Sequence, residues 1–236
     1  MQLFYNPAIS SEDKEVIFPK DESKHIVKVL RKQEGDNLNI TNGKGFLFSA
    51  EIIEANHNKC KAKITAVEQE RDKKYHIHLA VAPTKMNDRF ETFLEKSTEI
   101  GLDKITPIIC DHSERKVVKI NRFERVLQSA MKQSLHYSIP EISEAISFQE
   151  FIQQEQNEQK FIAHCEEKDK KSLQKELEPG KSYTILIGPE GDFSSEEIES
   201  AIKAGFVPVT LGNTRLRTET AAIVAAHTAA LINEFQ

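Results

Sequence analysis

Hydrophobic and polar residues follow two different rhythms along this chain, and the change falls near residue 72. Before it, short apolar runs at Leu38–Thr41, Gly45–Ile53 and Cys60–Val67 are divided by turn signals such as Thr41-Asn42-Gly43-Lys44-Gly45, the punctuation expected between strands. One helical segment, Glu22–Leu30, lies among them. The pattern predicts a small β-rich, barrel-like module over residues 1–72. The charged stretch Glu68–Lys74 reads either as a connector or as a solvated strand end and turn.

After it, strands and helices alternate. Ile77, Leu79 and Val81 share one face of a strand over His76–Ala82, and Phe90, Phe93, Leu94 and Ser97 sit at helical spacing within Asn87–Glu99. Strand Ile105–Cys110, helix Arg122–Leu135, strands Lys160–His164 and Tyr183–Ile187, helix Ser195–Ala204, strand Val207–Leu211 and helix Thr220–Ile232 complete the run. That order predicts an α/β domain over residues 73–236 with a largely parallel sheet. The Gln/Glu-rich piece Gln149–Gln159 is expected to be a helix and a surface turn.

Ligands of such sheets bind beyond the carboxyl ends of the strands, which here are the loops Pro83–Arg89, Gly188–Phe193 and Gly212–Thr220. Around the second loop the local rules agree. Ser194 and Glu197 have capping-box spacing, and Gly205 sits where a left-handed residue would end the helix. Gly188-Pro189-Glu190-Gly191 is neither G-x-G-x-x-G nor GxxxxGK[ST], so the dinucleotide fingerprint and the P-loop are both excluded. Pro189 also removes an N–H, so the loop suits a ligand held against backbone edges better than a phosphate.

Charge and cysteines narrow the setting. The chain has 32 Lys and Arg against 37 Asp and Glu, a net charge of −5, so attraction to nucleic acid must come from a local basic face. Lys24, Lys28 and Arg31, with Lys32 beside them, would form such a face on one helix. Cys60, Cys110 and Cys165 lie far apart with no CxxC pair, as suits buried thiols in a reducing cytosol. His76 and His78 lie two apart on a strand and lack a third ligand, so no metal site is expected. His164-Cys165 ends a strand near the cleft and reads as a strand-end packing pair, with contact to a ligand as the alternative. No apolar run approaches the roughly 18 residues of a membrane span, and no signal-peptide core is visible. A soluble, cytoplasmic protein is expected.

Four segments in order carry a resemblance that covers the whole chain: His25–Ile52, Lys85 with Glu95–Gly101, Ala130–Ser134 with Pro140, and GPEGDFSSEE followed by LGNTRLRTETAA. Together they resemble the SPOUT methyltransferases, and within them the small-subunit (16S) rRNA uridine-N3 methyltransferase family. Asp192 stands where that family usually has a glycine, and Lys132 and His136 depart from its pattern around Gln133-Ser134. The resemblance implies an N-terminal PUA-like β-barrel that binds RNA and a C-terminal domain with a trefoil knot. It implies S-adenosyl-L-methionine as cofactor, a homodimer, and 16S rRNA of the small ribosomal subunit as partner. No metal and no membrane are implied.

The resemblance places the cofactor against Ile187, Gly188, Gly191, Leu211, Gly212, Leu216 and Thr218. Uridine N3 is a weakly acidic imide hidden by pairing, so the base must be unpaired and its proton accepted. Arg217 is expected to stabilise the developing charge, while Glu190 or Glu219 accepts the proton or holds Arg217. Glu99 and Gln133 would orient the base. Lys28, Arg31, Lys85, Arg89 and Gln133 are the expected RNA contacts. Another SPOUT RNA methyltransferase, acting on a ribose 2′-OH or a different base, and a non-catalytic RNA-binding protein remain alternatives.

Overall fold

The computed structural model describes residues 2–71, 73–154, 158–166 and 170–234. The chain divides into two compact units: Met1–Asp72 with Met131–Ile139, and Lys73–Ala130 with Pro140–Gln236.

In the first unit, β1 (Leu3–Tyr5), β2 (Glu15–Ile17), α1 (Lys20–Lys24), β3 (Asn37–Thr41), β4 (Phe46–Glu54) and β5 (Lys61–Gln69) follow in order. The sheet order is β1-β3-β4-β5-β2, with β1 parallel to β3 and the other pairs antiparallel. Phe4, Val16, Phe18, Ile26, Ile40 and Phe48 are among the side chains that fill its core. The turn before β4 is built as its sequence suggests. Gly43 and Gly45 take φ of +73° and +84°, and Asn42 Oδ1 accepts from the Lys44 N–H at 2.8 Å. Of the charged stretch after it, Glu68 and Gln69 belong to β5.

The helical segment differs from expectation. After α1 the chain turns into a π-helical segment, His25–Val29, in which Leu30 N–H donates to His25 O at 2.9 Å. Arg31 then adopts φ +56°, outside the helix. The wider π turn and this reversal break the α-helical spacing, so Lys24, Lys28 and Arg31 do not form the single helical stripe their numbering suggested.

The second unit contains β6 (Ile77–Val81), α2 (Asn87–Ile100), β7 (Lys104–Ile109), α3 (Ile120–Ser134, whose end joins the first unit), β8 (Glu141–Ile142), β9 (Ile146–Ser147) and α4 (Phe148–Gln153). There follow β10 (Gln159–Ala163), β11 (Lys171–Ser172), α5 (Leu173–Glu176), β12 (Tyr183–Ile187), α6 (Ser195–Lys203), β13 (Val207–Thr210) and α7 (Thr218–Glu234). The strand order is β11-β13-β10-β12-β6-β7-β8, with β9 also on β7, and every pair is parallel. Helices cover such sheets on both faces, which is why β6 and β12 are buried at every residue.

Sequence neighbours separate in space here: β12 inserts between β10 and β6, and β13 lies beyond β10. The carboxyl ends of β10, β12 and β13 therefore lie side by side, the strand-order reversal at which open α/β sheets hold ligands. On one side of the sheet α7 packs against α2, β6 and β12. Its Ala222, Ala225, Ala226, Ala229 and Ala230 are buried within the single chain. α2 ends where Gly101 takes φ +92°.

Candidate active site at the strand ends

Two cavities open at these three strand ends and share Ala163, Cys165, Arg215, Leu216 and Ala221 as a common wall. One, of about 380 Å³, lies along Val209–Leu216. The other, of about 320 Å³, lies against Ile187–Glu190, Asp192 and Arg215–Thr218. Together they offer the room of a ligand larger than a single nucleobase.

Three connections hold the walls. Thr218 Oγ1 donates to Gly188 O at 3.1 Å, fastening the start of α7 to the end of β12. The helix therefore begins at Thr218, two residues before the expected Thr220, and Arg217 O already accepts from Ala221 N–H at 2.8 Å. Asp192, at φ +65°, accepts from Cys165 N–H at 2.7 Å and from Phe193 N–H at 2.9 Å, so its carboxylate bridges the exits of β10 and β12. The capping box of α6 is formed as its sequence indicated, with Ser194 and Glu197 each accepting the other's backbone N–H.

The expected cofactor residues fall into groups. Leu211 and Gly212 line the first cavity, Ile187, Gly188 and Thr218 the second, and Leu216 both. Gly212, at φ +140°, has open space where a Cβ would stand, so its backbone is approachable. Gly188 owes its size to a neighbour: a Cβ there would meet the Phe193 ring at 3.0 Å. Gly191 lines neither cavity, and a Cβ on it would stand 3.0 Å from His112 Cβ. The neighbouring β7–α3 loop, which carries His112, therefore packs directly against that glycine.

Of the expected catalytic groups, Arg217 and Glu190 line the second cavity. Glu190 Oε1 accepts from the Lys85 N–H at 3.0 Å, while its Oε2 is buried with no hydrogen-bond partner among the described residues. A buried acceptor in that condition is costly unless a ligand completes it. Glu219, on the first turn of α7, lines neither cavity, and its Oε2 is likewise buried without such a partner. Glu99 is tied to Lys96 at 2.9 Å on α2.

The expected RNA contacts belong to both units. Lys28 and Arg31 are exposed in the first unit. Lys85 is exposed and ion-paired to Glu114 at 2.8 Å. Arg89 is half-buried on the first turn of α2, and Gln133 is exposed near the end of α3. His76 and His78 do not converge on a shared ligand: His76 is exposed beside Asp103, and His78 is buried with Nε2 2.9 Å from Thr106 Oγ1. Burial lowers the His78 imidazole to about 4, the Lys104 charge adding to this and Glu141 opposing it. Among the described residues no cluster of His, Cys, Asp and Glu could hold a metal ion, and no helix is long and apolar enough to cross a membrane.

Two cations of the cavity walls were not singled out by sequence. Arg215 lines both cavities, and Lys170 lines the first, with its ammonium on the His164 carbonyl. Cys165, expected to be buried with the other thiols, is exposed between the cavities, whereas Cys60 and Cys110 are buried. Its place at the end of a strand near the cleft is what had left contact with a ligand open for Cys165.

A parallel sheet with a cleft at its strand ends, joined to a small β-rich unit, is the class these observations define. The model of an RNA methyltransferase domain matches residues 71–230, and that of an RNA methyltransferase PUA domain matches residues 18–65. Ribosomal RNA small subunit methyltransferase E of Buchnera aphidicola subsp. Acyrthosiphon pisum is 35% identical over 217 residues, 88% of this chain and 85% of the relative. A crystal structure from Porphyromonas gingivalis, described as a probable rRNA-methyltransferase, is 42% identical with a TM-score of 0.90, covering 98% and 99% of the two chains. The Neisseria gonorrhoeae ribosomal RNA small subunit methyltransferase E, bound to S-adenosyl methionine, is 28% identical with a TM-score of 0.86 over 100% of both chains. The chain belongs to the RNA methyltransferase family, in the group of ribosomal RNA small subunit methyltransferase E.

Proposed function

We propose that this chain uses S-adenosylmethionine to methylate N3 of a specific uridine in 16S rRNA of the small ribosomal subunit. The observation that carries the reading is the pair of cavities sharing one wall at the ends of β10, β12 and β13. The likeness to a relative whose structure holds this cofactor supports it. The cavities fit a bent ligand: the approachable backbone of Gly212 and Leu211 suits the adenosine, and the Gly188–Thr218 side suits the sulfonium end. The cofactor supplies an electrophilic methyl group and leaves neutral.

The chain's own residues must bare and neutralise the uridine nitrogen. Glu190 Oε2, buried with no hydrogen-bond partner among the described residues, accepts the N3–H in this reading. Arg217 on the same cavity is a donor for a uracil carbonyl as negative charge develops. Glu219 serves as support for the start of α7 and its Arg217 neighbour. Residues 1–72 act as the PUA-like RNA-binding module and 73–236 as the methyltransferase domain. Lys28, Arg31, Lys85, Arg89 and Gln133 contact RNA, the cations meeting phosphates and the base-pairing edges carrying identity. The C-terminal strands and α7 form a trefoil knot, the enzyme works as a cytoplasmic homodimer, and no metal takes part.

Calorimetry with S-adenosylhomocysteine and mass spectrometry of small-subunit rRNA from a strain lacking the gene test the reading. Binding, and loss of one N3-methyluridine, are expected. No binding at millimolar ligand overturns the cofactor, and an unchanged methylation map overturns the substrate. Arg217→Ala is expected to lower turnover at least 100-fold, about 3 kcal/mol of transition-state stabilisation, while still binding S-adenosylhomocysteine. Full turnover in that variant removes Arg217 from the mechanism.

A further inference from the structure

The loop 111–119 between β7 and α3 contributes nothing to either cavity, yet it is fastened to both loops around Glu190. Asp111 Oδ2 accepts from Ser194 Oγ at 2.7 Å, and His112 Nδ1 lies 3.2 and 3.0 Å from the carbonyl oxygens of Gly191 and Asp192. Further along, Arg115 Nη2 donates to Lys85 O at 2.6 Å, and Nη1 donates to Asn87 Oδ1. Lys85 N–H then donates to Glu190 Oε1 at 3.0 Å. The chain of contacts runs from guanidinium to backbone to carboxylate.

Arg115 suits this task for a chemical reason. Its planar fork takes one acceptor at Lys85 and one at Asn87, so it fixes the spacing across the β6–α2 connection, which a single point charge does less well. A second link between the same loops, Lys85 Nζ to Glu114 at 2.8 Å, joins two exposed side chains and constrains little. If the connection moves, the Lys85 N–H moves with it, and Glu190 loses the hydrogen bond that holds one of its two oxygens.

We propose that Arg115 is a positioning residue for methyl transfer, holding Glu190 through the Lys85 backbone so that Oε2 is presented to the uridine. The inference rests on Glu190 as the group that meets N3–H. A displacement of about 1 Å in such a group lowers turnover by roughly 100-fold. Arg115→Ala is therefore expected to reduce kcat by about 30- to 100-fold, with the Kd for S-adenosylhomocysteine changed less than about threefold. Arg115→Lys, retaining one of the two contacts, recovers part of the loss.

A double-mutant cycle separates positioning from general loosening, using small subunits from the deletion strain as substrate. If Arg115 acts through Glu190, removing it in a Glu190→Gln background costs less than about threefold, because residues that act as a unit are not additive. The same loss in both backgrounds, or an undiminished kcat in Arg115→Ala, overturns the inference. Should Arg115→Ala fail to fold by circular dichroism, the cycle is run with Arg115→Lys under the same criteria. Wild-type enzyme that transfers no methyl group, or Glu190→Gln as active as wild type, overturns the functional reading and this inference with it. Wild-type activity with an additive cycle overturns the inference alone.

Discussion

Asp192 holds φ at +65° and spends both carboxylate oxygens on backbone N–H groups of Cys165 and Phe193. Sequence showed that an aspartate stands there, but not that its side chain would bind together two strand exits. Asp192→Ala keeps the strained backbone and loses the bridge, so a stability loss of about 2 kcal/mol is expected. Asp192→Gly relaxes the backbone and loses only the bridge, so it should unfold closer to wild type while binding S-adenosylhomocysteine several-fold more weakly. Urea unfolding followed by far-UV circular dichroism and calorimetry decide the matter, and wild-type stability in Asp192→Ala would show that the bridge holds nothing. Gly188 and Gly191 teach a related lesson. Their sequence announces that something comes close, but only the folded chain shows Phe193 and His112 as the close atoms. His78 adds a titration. Its folded value of about 4 lies below the unfolded value near 6.5, so the unfolded chain binds the extra proton first. Its contribution is fully present above pH about 6.5, is lost as pH falls toward 4, and totals at most about 3 kcal/mol. His78→Gln should flatten that part of the urea midpoint's pH dependence, and an unchanged slope would assign it to other groups.

Elements were legible where they are long and amphipathic or wholly apolar. β12 occupies Tyr183–Ile187 as expected, and α2 and α6 differ from expectation by a residue at one end. Their caps are written locally, in Ser194 with Glu197 and in Gly101. β1, β2, β8, β9 and β11 are two or three residues each and exist through their partners, so no periodicity could declare them. The π turn at His25–Val29 escaped for another reason, since an α-helical spacing of basic residues reads the same until the backbone widens. The alanines of α7 carry a clear energetic meaning. Ala226 is fully buried on a helix that packs against α2, β6 and β12. Ala226→Leu must therefore push a helix off its seat, and a loss of about 1–3 kcal/mol is expected from overpacking. If the alanines were present only for helix propensity, leucine would be nearly neutral there. A denaturation midpoint unchanged by Ala226→Leu would favour propensity over packing.

For the whole molecule, the alternation of strands and helices foretold a parallel sheet, because parallel neighbours need crossovers. It could not foretell that β12 would enter between β10 and β6, since that order is fixed by packing among segments distant in sequence. The cavity exists because of that order, so its loops were legible and its shared wall was not. The grouping of residues 131–139 with the first unit is of the same kind. Thr41 Oγ1 donates to Tyr137 O at 2.7 Å, Gly45 N–H donates to the same oxygen at 3.0 Å, and Ile139 N–H donates to Gly43 O at 3.0 Å. All three meet the turn between β3 and β4, whose glycines are held at positive φ. A fragment of residues 1–72 keeps the five strands but loses these partners, each net hydrogen bond being worth about 1 kcal/mol. The fragment should therefore unfold at lower urea than the same unit in the intact chain, with faster amide exchange at Gly45. Adding a peptide of residues 131–139 at high concentration should slow that exchange, since the peptide restores the lost partners by mass action. Equal protection of Gly45 in the fragment and the full chain would show that the β3–β4 turn holds its shape without the returning segment.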